Sequence, residues 1–274
     1  MRLVRPFVVA ASFVLVAACA PSPTQVLSTL ETAINAGNAE QAAALFAPEG
    51  ALTLDGQTYT GAAEVRAQLD AMVGAHTQLE MSAAPVVQGA DATHAVRVTS
   101  NEYQSLAVPA LDVELSLTAK DGKIVGVRWT LTEAARTLLT TAKTAAATKV
   151  ATEFLAQVNN HNVDALRGML TDDATVNWAD QRYGDAAQVG NWLTYLGAQK
   201  VSVTPVGDAT GTVTGASWKV TAVADAWKVA KIESAAADMQ LRVRDGKVTY
   251  VGLVLDPAAT AMINAAMSKT NAVH

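Results

Sequence analysis

Val113-Glu114-Leu115-Ser116-Leu117, then Asp121-Gly122-Lys123, then Ile124 to Leu131 is the stretch that decides the fold. Apolar and polar residues alternate up to the turn, which is the period of a strand with one buried face. Asp-Gly between two such runs predicts a hairpin, because a tight primed turn needs positive φ. The same stretch returns as Met239-Gln240-Leu241-Arg242-Val243, Asp245-Gly246-Lys247 and Val248 to Leu255. Gly246 follows Gly122 by 124 residues, and that step also carries Val26, Leu30 and Ile34 onto Val150, Phe154 and Val158. It carries Asn38 onto Asn162, Tyr59 onto Tyr183, and Ala62, Val65 and Leu69 onto Ala186, Val189 and Leu193. A register held without gaps through helices and a hairpin implies internal duplication.

Outward from the hairpins, each half reads in the same order. Helical spacing covers Val26, Leu30 and Ile34; Gly37-Asn38 interrupts it, and a short helix follows from Ala39 to Phe46. Ala51 to Leu54 and Gln57 to Thr60 read as short strands, and Gly61 opens a third helix carrying Val65, Leu69 and Met72. Strands are expected at 78–88, 94–104, 111–119 and 123–132. Thr132-Glu133 starts an Ala/Thr-rich helix that must pass through Lys143-Thr144-Ala145 into the first helix of the second half. Asp256-Pro257, an N-cap with proline at the first helical position, starts its counterpart.

The N-terminus has a different logic. Arg2 and Arg5 precede an apolar run, Phe7 to Ala18, too short to span a bilayer and laid out as a secretory signal. Val16-Ala17-Ala18-Cys19 resembles the lipobox of bacterial lipoproteins, which implies cleavage before Cys19 and lipid on its thiol. The alternative is an ordinary signal in which Cys19 is incidental. Cys19 is the only cysteine, and Ala20-Pro21-Ser22-Pro23-Thr24 reads as a tether. A cell-envelope address follows, lipid-anchored, at the outer membrane if the cell is Gram-negative. With no second cysteine the domains hold together by packing alone. Half of the residues are hydrophobic, enough for two small cores. Loss of Arg2 and Arg5 takes the formal charge of −5 further negative, and no Lys/Arg cluster offsets it, which argues against a nucleic-acid partner.

Ala36-Gly37-Asn38, Ala43-Ala44-Leu45-Phe46-Ala47-Pro48-Glu49-Gly50 and Tyr59-Thr60-Gly61-Ala62-Ala63-Glu64-Val65 resemble the NTF2-like superfamily, in its SnoaL-like branch. Leu170-Thr171-Asp172-Asp173-Ala174 and Tyr183-Gly184-Asp185-Ala186-Ala187-Gln188-Val189 carry the likeness in the second half. Gly184-Asp185 departs from Thr60-Gly61, which puts the start of the second copy's third helix in question. The resemblance implies an α+β class with two tandem NTF2-like (cystatin-like cone) domains. Each would have three helices on a curved antiparallel sheet plus a C-terminal helix. The expected layout is a signal peptide at 1–18, a tether at 19–23, and SnoaL-like domains at 24–146 and 147–274. The family includes isomerases, cyclases, dehydratases and epoxide hydrolases beside members that only bind, so the fold does not fix the function.

Enzymes of this family use a pocket carboxylate or histidine with a partner such as tyrosine. Strand parity with Val96 and Val98 places Glu102 on the apolar face, and an enzyme would need it, or another carboxylate, buried beside a tyrosine such as Tyr59 or Tyr103. These are the candidate catalytic residues. His76 follows a helix end, His94 begins a strand, His161 lies in a turn and His274 ends the chain, so they form no metal constellation. Asp172-Asp173 and Asp180 read as ordinary loop acids, and no Gly-rich phosphate loop is present; no metal or cofactor is expected. The aromatics are more informative. Four of the five tryptophans fall in the second half, and Trp178, Tyr183, Trp192, Trp218 and Trp227 are the candidate pocket. They either fill a core otherwise built of Ala and Val or wall an apolar cavity with few polar tips. The favoured function is non-catalytic binding of a small apolar ligand or an envelope protein by a monomer. A SnoaL-like enzyme and a purely structural tandem are the rivals.

Overall fold

The chain enters its first helix through a capping box. In the computed structural model, which describes residues 20–271 apart from Ala230, Ser22 Oγ accepts from the Gln25 N–H at 3.3 Å and the Ser22 N–H donates to Gln25 Oε1 at 2.8 Å. The signal segment, Cys19 and His274 lie outside the described residues. The first half of the chain runs α1 (Pro23–Asn35), α2 (Ala39–Ala44), β1 (Phe46–Leu54), β2 (Gln57–Thr60), α3 (Gly61–Gly74), β3 (Gln78–Met81), β4 (Val86–Gln88), β5 (Asp91–Thr99), α4 (Asn101–Ser105), β6 (Leu111–Lys120) and β7 (Lys123–Leu131). Its sheet is ordered β2-β1-β7-β6-β5-β3, with β4 beside β5. The second runs α5 (Glu133–Asn159), α6 (Val163–Met169), β8 (Leu170–Trp178), β9 (Gln181–Tyr183), α7 (Ala186–Ala198), β10 (Ser202–Thr212), β11 (Gly215–Val223), α8 (Asp225–Val229), β12 (Ala235–Arg244), β13 (Lys247–Leu255) and α9 (Pro257–Asn271). Its sheet is ordered β10-β11-β12-β13-β8-β9, the same sequence of strands read from the other edge.

The duplication extends to backbone detail. Asp121 and Gly122 have φ of 51° and 74°, Asp245 and Gly246 51° and 73°. Asp55, His76 and Ala107 take positive φ, and so do Ala179, Lys200 and Lys231 at the corresponding positions. Asn35 grips the backbone of Leu79 with both ends of its amide: Nδ2 donates to the carbonyl at 2.9 Å and Oδ1 accepts from the N–H at 2.7 Å. Asn159 holds Val203 identically, at 2.9 and 2.7 Å. Each bracket ties the end of the first helix to an edge strand. Val26, Leu27, Leu30, Ala33 and Ile34 of α1 are buried on β3, β5 and β6, and Ala151, Phe154, Leu155 and Val158 of α5 do the same on the second sheet.

Four expectations need correction. The sheets are mixed, because β1 pairs with β7, and β8 with β13, in parallel. Most of a domain separates the two strands of each pair, so the chain can return in the same direction. The strand expected at 78–88 is two, β3 and β4, parted by a segment that ends in Pro85, which has no N–H to donate to a ladder. The second copy keeps one strand, β10, bent by a bulge between Val206 and Thr210. The strand expected at 94–104 ends at Thr99 and gives way to the five-residue helix α4. The chain from Glu133 to Asn159 is a single helix, and all of it groups with the second unit, as do Glu102–Pro109; the boundary expected at 146/147 falls inside it.

Candidate functional site

The second unit carries an aromatic cleft that local structure builds piece by piece. β8 ends on Trp178, Ala179 turns the chain with φ of 52°, and Asp180 and β9 bring Gln181 and Tyr183 alongside. α7 starts one residue later than α3, as the Gly184-Asp185 departure implied. Asp185 Oδ1 accepts from the Gln188 N–H at 2.8 Å, whereas Thr60 makes no side-chain cap. Three turns on, α7 contributes Tyr195, α8 contributes Trp227, and Leu255 with Thr260, Ile263 and Asn264 of α9 closes the outline. The enclosed volume is about 230 Å³.

Its polar tips are uncharged apart from one rim acid. The Tyr183 hydroxyl donates to Gln181 Oε1 at 2.5 Å. Burial pushes the Tyr183 and Tyr195 hydroxyls above the ordinary phenol value, and Tyr183 adds to the rise at Tyr195. Both are therefore neutral donors around neutral pH. Asp180 is exposed on the rim. Trp192 is the floor rather than the wall: it is wholly buried, and its ring centre lies 5.5 Å from that of Trp178 at 56°. Its Nε1–H finds no acceptor. Trp218 lies in the core and does not border the cleft. Trp178, Tyr183 and Trp227 line it, and Tyr195, Leu255 and the α9 residues are additions that spacing alone did not single out.

Glu102 is not where strand parity put it. It sits on α4, exposed, with a carboxylate oxygen 3.8 Å from Lys143 Nζ. Tyr59 is half-buried on β2, and Tyr103 half-buried on α4. Among the described residues no carboxylate, lysine or arginine is buried, and no group of three His, Cys, Asp or Glu could hold a metal ion.

The polar interior of the molecule is in the first unit, at His94. This residue does not merely begin a strand: it lies in the middle of β5, 2% exposed, on the face shared with Ala92, Val96 and Val98. His94 Nε2 is hydrogen-bonded to the Ala83 carbonyl, while Nδ1 is buried without a partner. Glu31, half-buried on α1, stands close enough to feel it: burial raises the Glu31 carboxyl above its ordinary value and His94 partly offsets the rise. The parity that wrongly placed Glu102 inward, read backwards from Val96, reaches His94.

Comparison with curated proteins finds no match. Solved structures similar to this chain include an NTF2-like protein of unknown function from Cytophaga hutchinsonii, 11% identical, covering 43% of this chain and 95% of that one with a TM-score of 0.36. An uncharacterised cystatin-fold protein from Novosphingobium aromaticivorans is 15% identical over 40% of this chain and 97% of that one, with a TM-score of 0.34. The epoxide hydrolase/cyclase-like enzyme of pyran-ring formation in salinomycin is 15% identical over 40% of this chain and 91% of that one, with a TM-score of 0.37. Within residues 27–127 the chain matches the model of the SnoaL-like domain, and its architecture is mixed α+β with two sheets of the same strand order.

Proposed function

We propose that this is a lipid-anchored protein of the cell envelope whose second domain binds a small apolar ligand without transforming it. The aromatic cleft carries the proposal: walls of Trp178, Tyr183, Tyr195 and Trp227, neutral hydroxyl and amide tips, and no buried acid or base. An apolar cavity of about 150 Å³ accommodates benzene, and drug-sized ligands occupy about 300 Å³ or more. A cleft of about 230 Å³ suits a one- or two-ring compound with a single acceptor for a tyrosine hydroxyl. For the anchor, Cys19 is the sole cysteine and directly follows Val16-Ala17-Ala18. No described helix is long and apolar enough to cross a membrane. The test is native mass spectrometry of residues 20–274 with envelope extract, alongside tryptophan emission. A bound species that shifts the emission and is lost in Trp227→Ala supports binding; no bound species in any extract overturns it.

The enzyme alternative has one observation in its favour, and it lies in the first domain. His94 is buried on the inner face of the sheet, and Glu31, half-buried on α1, lies near enough for His94 to offset part of the rise that burial gives its carboxyl. An acid beside a histidine is what general acid–base catalysis needs. Turnover of an isomerase, cyclase or epoxide-hydrolase substrate, lost in both Glu31→Gln and His94→Gln with the fold intact, would establish it.

A further inference from the structure

The tether reads as a flexible leader, yet the structure pins it. Pro21 lies against the hairpin turn of its own domain: a Cβ added to Gly122 would sit 2.7 Å from Pro21 Cδ. One residue later the capping box at Ser22 fixes the start of α1. The equivalent turn of the second domain has no such cover, since nothing lies within 4 Å of a Cβ built on Gly246.

Between docked Pro21 and Cys19 stands only Ala20. Consecutive Cα atoms are about 3.8 Å apart, so two residues of chain reach at most about 8 Å from Pro21. The headgroup layer of one leaflet is itself about 5–8 Å deep. A lipid on Cys19 keeps Pro21, and whatever surrounds it, within about 8 Å of the lipid attachment. What surrounds it is the turn Lys120-Asp121-Gly122-Lys123. Lys120 is exposed, and Lys123, whose Nζ donates to the Ala44 carbonyl at 2.6 Å, flanks the other side. Lys120 and Lys123 against Asp121 leave the tip net positive, the sign that the phosphate layer of a lipid surface attracts.

We infer that the β6–β7 turn, residues 120–123, is a membrane-contact surface that seats the first domain directly on lipid headgroups. The inference rests on lipidation of Cys19, so the experiment reads the two separately. The full chain is matured in cells and reconstituted into phosphatidylethanolamine/phosphatidylglycerol vesicles containing headgroup-nitroxide lipid. A fluorophore is placed by Lys120→Cys or, as the distant reference, Gln57→Cys. Thioether-linked Cys19 does not react with the label. Gln57 follows the turn after β1, where the Asp55 N–H donates to the Trp129 carbonyl, six residues along β7 from Lys123. At about 3.3 Å per residue the two labels differ by roughly 20 Å along the sheet. Quenching at position 120 several-fold stronger than at 57 is expected, falling to the reference level when a ten-residue Gly/Ser spacer is inserted between Ala20 and Pro21. Equal quenching at the two positions in acylated protein overturns the docking and leaves the anchor standing. Mass spectra showing Cys19 without acyl groups overturn both.

Discussion

The two domains share a backbone and differ inside it. Where the first has Glu31 on its first helix and His94 on the strand opposite, the second has Leu155 and Trp218. Where the second sets Trp178 against Trp192 and adds Tyr195, the first has Leu54, Gln68 and Ala71. The devices that hold the fold are unchanged: the asparagine brackets, the positive-φ turns and the hairpins recur at one displacement. The scaffold is carried by backbone hydrogen bonds and turn geometry, which leaves the inward side chains free to diverge. One copy has a buried histidine beside a half-buried glutamate, and the other has apolar side chains at both positions.

The sharpest test of that division is Trp192. Truncation of a wholly buried tryptophan to alanine costs about 3–5 kcal/mol, and Trp192→Ala removes the floor under Trp178. Gln68→Ala, at the same position of the first domain, is expected to change stability by less than about 0.5 kcal/mol, because Gln68 is partly exposed. Hydrogen exchange of α7 and α3 amides reads each domain separately. Similar losses at both sites would mean that the interiors are not as different as they look. The brackets come next, and here the domains should agree. Asn35→Ala and Asn159→Ala each strand an edge-strand N–H and C=O, at about 1–3 kcal/mol. Equal destabilisation in equilibrium unfolding is expected; a difference above about 1 kcal/mol would break the claim of a common frame.

Much of this frame was legible in the sequence because its signals are local. Asp-Gly turns, alternation and a fixed displacement need no tertiary context, and they located both sheets. The failures share a cause as well. α4 is five residues long, too short to show a helical period, so Glu102 inherited the parity of β5. The parallel pairing of β1 with β7 joins segments some 75 residues apart, and no local pattern encodes it. The cleft was half visible. Trp178, Tyr183 and Trp227 stood out by composition, but tryptophan content cannot separate the wall of a cleft from its floor, and Trp192 and Trp218 proved to be core. His94 was hidden because the expected strand began with it, whereas β5 starts at Asp91; its parity with Val96 and Val98 carried the information.

The smallest expected effect concerns Glu31, and its sign is the informative part. Burial raises its carboxyl above the ordinary value of 4.5, against an opposing contribution from His94. The folded chain then binds this proton more tightly than the unfolded chain. Stability should therefore fall as pH rises from about 4.5 through the folded value, and level off above it. Glu31→Gln should abolish that slope. Glu31→Leu, which installs the residue that the second domain has at 155, should abolish it too. His94→Phe removes the offsetting charge, so the Glu31 carboxyl should titrate higher than in the parent. The measurement is the pH dependence of the Glu31 side-chain carboxyl resonance, with chemical denaturation at matched pH. If Glu31 titrates at its ordinary value in both the parent and His94→Phe, the two residues do not communicate. The first domain would then differ from the second only in composition, not in having a coupled acid and base inside.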